Sequence, residues 1–230
     1  MPENLTHLAN KYGSDKGTKV GNRHNYTAFY SAFFEQWATD TFTMLEIGLQ
    51  RGDTATYRDP GRPVDDVPSV RLWLDYFPQA QCWGFDLSDF SNIAIPRFHF
   101  RRGDLSNPAD LAQLATDMPP ARFIIDDGSH ASYHQQSALL HLFTAVEPGG
   151  LYFIEDLDWQ PGYESELPKC RKTRDVFGDF ITSGDLDIPF ASPSQCRSVE
   201  GSINNIFFLR ANSDAPELGR IKMVCIQKRR

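Results

Sequence analysis

Two short runs of the sequence gather most of its chemically capable side chains. FIIDDGSH, at 123–130, carries an apolar run into Asp126, Asp127 and His130, and GGLYFIEDL, at 149–157, carries another into Glu155 and Asp156. Carboxylates stay exposed unless something compensates their charge, so acids at the lip of an apolar strand face a solvated loop, a cation or a ligand. If the two runs are neighbouring strands, Asp127, Glu155 and Asp156 meet at one point and repel unless a cation stands between them. An all-oxygen set of this kind suits magnesium, manganese or calcium better than zinc. His130 lies on the turn that opens the next helix and can look into the same place as a base. The competing reading is that these acids only cap turns and helices. His134, four positions after His130 but outside any HExxH pattern, reads as a helix-face residue, His141 as packing and His99 as structural.

The elements that must position these residues follow from the hydrophobic pattern. NYTAFYSAFFEQW, 25–37, spaces its aromatics helically behind Asn25 as an N-cap. FTMLEIGLQRG then reads as a strand breaking into a glycine turn, followed by SVRLWLDYF as helix, QCWGFDLS and FHFRRGDLS as strands, and NPADLAQLATDM as helix. FIIDDGSH is a strand, HASYHQQSALLHLFTAV a helix and PGGLYFIEDL a strand. Such alternation predicts βαβ units around a mostly parallel sheet. SINNIFFLR and IKMVCIQKR, separated by a short polar link, predict an antiparallel final pair. The stretches 54–69 and 159–173 read as long surface loops.

Ligands of an open parallel sheet bind outside the carboxyl ends of its strands. The first strand ends in Glu46, Gly48 and Gly52, the second in Asp86 and Ser88, and the third in Gly103 and Asp104. The glycine turn lacks the dinucleotide GxGxxG spacing. Asp86 stands where such sheets hold ribose hydroxyls, and the surrounding acids favour a nucleoside over a phosphate.

Composition limits the classes of function. The chain has 230 residues, 30 acidic and 23 basic, with a formal net charge of −7. That size suits one α/β domain with a substantial core, and the charge offers no surface for a nucleic acid. The four cysteines are scattered without a CxxC pair, which fits a reducing cytoplasm better than a disulfide framework or a zinc site. No stretch approaches the apolar length of a membrane span and the N-terminus has no signal-peptide core, so a soluble, cytoplasmic protein with no membrane or nucleic-acid partner is expected.

LEIGLQRG, GFDLS, RGDLS, IIDDGSH and GGLYFIEDL, in this order, resemble the class I methyltransferases that use S-adenosylmethionine. KYGSDKGT, LWLDYFP, DDGSH and IEDL resemble more narrowly the macrocin, mycinamicin and rhamnosyl O-methyltransferases of natural-product sugar tailoring. The resemblance implies a Rossmann-like α/β fold, a mostly parallel seven-stranded sheet with an antiparallel last strand and helices on both faces. It implies an N-terminal flap segment and packing helix over 1–40 and a methyltransferase domain over 41–230, in one globular whole. It also implies that Asp127, Glu155 and Asp156 bind Mg²⁺ and that His130 is the base. Glu46, Gly48 and Gly52 would serve the methionine end of S-adenosylmethionine, Asp86 and Ser88 the ribose, Asp104 the adenine, and Asp126 the cofactor amine. Tyr12 and Lys16, in KYGSDKGT, would touch ligand from the flap. Gln50 departs from the usual pattern, standing where the middle glycine is customary. The acceptor implied is a small-molecule glycoside of antibiotic biosynthesis, and a homo-oligomer is expected because family members commonly are. The rival readings are a catechol- or phenol-type O-methyltransferase, a nicotinamide-dependent oxidoreductase, and a non-catalytic partner subunit that keeps the fold.

Overall fold

The computed structural model describes residues 3–20, 24–49, 66–210 and 220–230. Gln50, Gly52 and most of the 54–69 stretch lie outside the described residues. The chain divides into two compact units, Met1–Arg102 with Arg210–Arg220, and Gly103–Leu209 with Ile221–Arg230.

The first unit holds α1 (Leu5–Tyr12), α2 (Tyr26–Phe34), β1 (Thr43–Ile47), α3 (Pro68–Tyr76), β2 (Gln81–Asp86) and β3 (Phe98–Arg102). Its strands run in the order β3-β2-β1, with parallel pairing that sets Glu46 beside Gly84 and Asp86 beside Arg102. All five β1 residues are buried, as expected for a strand covered on both faces. Tyr26, Tyr30 and Phe34, one helical turn apart, form the buried stripe of α2, with Tyr30 and Phe34 packing against Trp73 of α3 and Phe34 also against Phe77, the residue that caps it. Asn25 departs from its expected capping role, because its backbone is left-handed and its side chain makes no capping bond. α1, which the sequence pattern left unassigned, is capped by Asn4 and ended by left-handed Gly13. Behind it the KYGSDKGT segment is bonded back on both sides, Ser14 N donating to Ala9 O (2.9 Å) and Thr27 N to Lys16 O (3.1 Å). Gly17 packs closely there, since a Cβ would sit 2.6 Å from Asn10 Oδ1 and 3.0 Å from Ala9 Cβ and would displace the Asn10 side chain.

The second unit holds α4 (Pro108–Asp117), β4 (Ala121–Asp126), α5 (Ser132–Leu142), β5 (Val146–Ile154), α6 (Thr173–Ser183), α7 (Pro193–Ser202), β6 (Ile203–Arg210) and β7 (Ile221–Lys228). Its strands are ordered β4-β5-β7-β6. β4 and β5 are parallel with Asp126 beside Ile154, and β7 runs antiparallel to β5 with Val224 beside Ile154. The 210–220 link is too short for a usual helical crossover, and the final pair predicted from it is in place. α6 and α7 are additional to the sequence expectation. α5 is buried almost all round, and the amide nitrogens of its glutamines reach distant groups: Gln135 Nε2 donates to Glu155 O (3.1 Å) and Gln136 Nε2 to Arg171 O (2.6 Å), while the Oε1 atoms of both are buried without a hydrogen-bond partner. A buried polar side chain is tolerable only with such partners. No helix among the described residues is long and apolar enough to cross a membrane.

Candidate functional site

In the first unit the ends of β1 and β2 are tied together by one carboxylate. Asp86 accepts from Leu49 N at Oδ2 and from Ser88 N at Oδ1, both at 2.8 Å. Gly48, at φ +81°, donates its N–H to Phe85 O at 2.9 Å, and that left-handed conformation is one glycine adopts without steric cost. Asp86 thus shapes the turn that presents Gly48. Glu46 is fully buried, and Lys16 Nζ, equally buried, stands 3.7 Å from its Oε1. Tyr12 donates its hydroxyl to Asp75 of α3, where Lys11 Nζ also arrives at 3.3 Å.

In the second unit the turns after β4 and β5 bring together Asp127, His130 and Asp156, each offering a ligand atom within 4.8 Å of the others. Glu155, expected in that set, is not part of it. Its side chain is 1% exposed, and its backbone is held by Asp126 O accepting from Glu155 N (2.9 Å) and by Gln135 donating to its carbonyl. His130 and Asp156 both have left-handed backbones, φ +61° and +53°, two of four such non-glycine residues among the described ones. Each costs on the order of 1 kcal/mol or more and persists only where the surroundings enforce it. The enforcement is visible: Trp159 N donates to Asp156 O (3.1 Å), Leu157 N to Lys222 O (2.9 Å), and the Trp159 ring meets the His130 imidazole edge-on at 5.4 Å.

Charge in this cluster is balanced by a lysine. Lys222 Nζ lies 2.9 Å from Asp158 Oδ1 and 3.9 Å from Asp156 Oδ1. His130 Nε2 is 3.8 Å from Asp156 Oδ2, beyond hydrogen-bond length, and its Nδ1 is buried without a partner. Asp126 is buried at the end of β4 and accepts only from Gly128 N, at Oδ1 (3.2 Å), leaving Oδ2 unsatisfied. Burial pushes its pKa up to about 7 against the opposing pull of the Gly128 N–H and of His130. Asp104, at the start of this unit, accepts from Ser106 N at 2.8 Å. The other histidines are committed elsewhere. His134 is held between Ser106 Oγ (2.7 Å) and Ser129 Oγ (2.6 Å), His141 Nδ1 meets Ser137 O, and in the first unit His99 bonds Gln81.

Sequence reasoning placed Asp158 with Glu155 and Asp156 at the end of the fifth strand but missed Lys222 and Trp159. Lys222 reads as one polar residue of an edge-like strand, and only the antiparallel return of β7 beside β5 brings it to the acids. Trp159 carried a signal, an aromatic residue opening a polar, proline-containing loop directly after the IEDL motif.

The fold is that of the Rossmann-like class I methyltransferases, seven strands, mostly parallel, with the last antiparallel. MycE methyltransferase from the mycinamycin biosynthetic pathway, in complex with Mg and SAH, superposes with a TM-score of 0.76 at 25% identity, over 100% of this chain and 54% of that one. Its complex with Mg, SAH and mycinamycin VI gives 0.75 at 24% identity, over 100% and 55%. In sequence, the chain is 39% identical over 95% of its length to the 8-demethyl-8-alpha-L-rhamnosyl tetracenomycin-C 2'-O-methyltransferase of Streptomyces olivaceus, covering 58% of that protein. It is 32% identical over 74% of its length to the mycinamicin VI 2''-O-methyltransferase of Micromonospora griseorubida, covering 41% of it. The chain therefore spans about half the length of the curated relatives it matches. No protein-family profile matches the sequence.

Proposed function

We propose that this chain transfers a methyl group from S-adenosylmethionine to a sugar hydroxyl of a glycosylated natural product, with a divalent cation bound by strand-end acids. The observation that carries this reading is the convergence of Asp127, His130 and Asp156 on turns held in left-handed geometry. The acids of the cluster fit a hard cation, since they offer carboxylate oxygens and no thiolate, and the imidazole beside them is left for proton transfer. Asp127 and Asp156 are the carboxylates we assign to Mg²⁺, with Glu155, next to Asp156 in the chain, as the third. When bound, the cation supplies charge that orients neighbouring hydroxyls and lowers the pKa of one of them.

The protein's own contribution is placement of a proton acceptor. Nε2 of His130 stands 3.8 Å from Asp156 Oδ2, beyond hydrogen-bond length, while Nδ1 is buried, so Nε2 is the ring nitrogen we assign to take the proton of an acceptor hydroxyl. The imidazolium so formed stands beside the Asp156 carboxylate, which stabilises it. The oxygen attacks the sulfonium methyl, the new O–C bond forms as the C–S bond breaks, and the proton stays on His130. Trp159, packed edge-on against the ring, fixes its plane.

For the methyl donor we assign Glu46, Gly48 and Gly52 to the methionine end and Asp86 with Ser88 to the ribose. Asp104 is assigned to the adenine and Asp126, with its unsatisfied buried oxygen, to an ammonium. Tyr12 and Lys16 of the N-terminal segment are assigned to the ligand site as well, Lys16 beside the Glu46 carboxylate and Tyr12 on the side chain of Asp75. The likeness to glycoside O-methyltransferases over 95% of the chain supports the acceptor class.

The test is incubation with S-adenosylmethionine, Mg²⁺ and 8-demethyl-8-α-L-rhamnosyl tetracenomycin C, read by mass spectrometry. The expected result is a product heavier by one CH₂ whose formation stops on chelation. S-adenosylhomocysteine binding without methylation of this or any other glycoside acceptor would overturn the acceptor class and leave a methyltransferase of another substrate.

A further inference from the structure

We infer that the Trp159 indole is the platform on which the apolar face of the acceptor sugar rests, and so sets preference for a 6-deoxyhexose. This rests on the proposed glycoside methylation. Trp159 is 41% exposed, one of three large apolar side chains left open among the described residues. The other two, Ile181 and Phe207, lie on α6 and β6, whereas Trp159 touches the imidazole of the cation cluster.

Its exposure is built into the turn. Trp159 N donates to Asp156 O at 3.1 Å, and the next residue, Gln160, accepts from both Ser132 N and Ser132 Oγ at 3.0 Å through Oε1. Leu157, two residues earlier, is buried and bonded to the Lys222 carbonyl. A tryptophan on a backbone anchored at both sides is exposed because nothing of the same turn covers it, and a fixed flat apolar surface has little ordering entropy left to lose on binding.

The chemistry of a pyranose matches this arrangement. One edge of the ring carries vicinal hydroxyls, which suit the acids and imidazole of the cluster. One face presents C–H groups, extended by a methyl in a 6-deoxyhexose, which suit an aromatic plane. A ring resting on the indole presents a hydroxyl edge toward His130, because the indole and imidazole are in direct contact. A fully hydroxylated hexose places a polar CH₂OH where the methyl would lie and loses part of that contact.

Two measurements test the platform. In Trp159→Ala the KM for the rhamnosyl tetracenomycin should rise roughly three- to tenfold, with kcat falling as well because the ring also supports His130, and Trp159→Phe, which keeps a flat ring, should recover most of the rise in KM. In wild-type protein saturated with S-adenosylhomocysteine and Mg²⁺, methyl α-L-rhamnopyranoside should perturb tryptophan emission, and the perturbation should vanish in Trp159→Phe. Equal KM in wild type and Trp159→Ala overturns the platform while leaving glycoside methylation intact, as does a fall in kcat alone, which would mark Trp159 as a support for His130 only. A change in solution mass of Trp159→Ala identifies an interface instead and also overturns it. Wild-type protein that methylates no glycoside overturns the functional reading and the platform with it.

Discussion

Replacing Asp86 by Ala should unfasten the first glycine turn as well as weaken binding of the methyl donor. Its two oxygens accept from Leu49 N and Ser88 N at 2.8 Å, so the substitution strands one backbone donor after β1 and one after β2. Hydrogen bonds to a charged group contribute about 1.5–3 kcal/mol each, and the two share one carboxylate and one turn, so their losses do not add fully. A net cost of about 3 kcal/mol is expected, a large share of the ~5–15 kcal/mol that holds a domain folded. With a urea slope of about 3 kcal/mol per M for a chain of this size, the unfolding midpoint should fall by about 1 M. Asp86→Asn keeps one acceptor and turns an amide N–H against the other donor, so it should fall between wild type and Ala. Urea titration followed by tryptophan emission reads the stability, and calorimetry with S-adenosylhomocysteine reads the affinity, expected to fall by roughly tenfold or more. An unchanged midpoint in Asp86→Ala would refute the turn-organising role, whatever happened to binding.

Asp127→Ala and Glu155→Ala should each cut methyl transfer far more than S-adenosylhomocysteine affinity, and Mn²⁺ titration by electron paramagnetic resonance should show weaker metal binding; full activity in EDTA would remove the cation from the reaction. His130→Ala should lower the single-turnover rate by roughly 10²–10⁴-fold with cofactor affinity kept; a rate equal to wild type would pass the proton to another acceptor. Cys170, half-buried, has its thiol pKa pushed to about 11 by burial and by Glu164, so iodoacetamide at pH 8 should label it slowly and labelling should accelerate toward pH 11. Labelling at the rate of an exposed peptide thiol at pH 8 would contradict that environment. His134→Ala should destabilise the protein by about 1–3 kcal/mol, because it leaves the hydroxyls of Ser106 and Ser129 to find new partners, with little effect on Mn²⁺ affinity.

The strands and most helices were legible because each carries its own period. β1, β4 and β5 each carry a short apolar run, at 44–45, 123–125 and 151–154, and α2 and α3 show their buried stripes in sequence. α7 escaped because it buries only Cys196 and Val199, too few to mark a face. α5 shows the opposite limit: it was recognised as a helix, but Gln136 is tied to Arg171 and Thr173, partners no local pattern announces. At the site, strand-end acids were legible from Asp127 and Asp156, while the exchange of Glu155 for His130 in the compact set was not. Lys222 was hidden because it comes from a strand about sixty-five positions further on, brought near only by antiparallel pairing.

The left-handed backbone at His130 and Asp156 bears on what mutation does to this chain over generations. Glycine enters that conformation freely, so at both positions the side chain best for folding is none at all. Substitution to glycine there trades chemistry for backbone ease, the direction in which drift runs whenever catalysis is no longer selected. A copy released from its reaction would erode at these two positions before it eroded in its core, and the imidazole and carboxylate that stand there now are costly to keep for any purpose other than use.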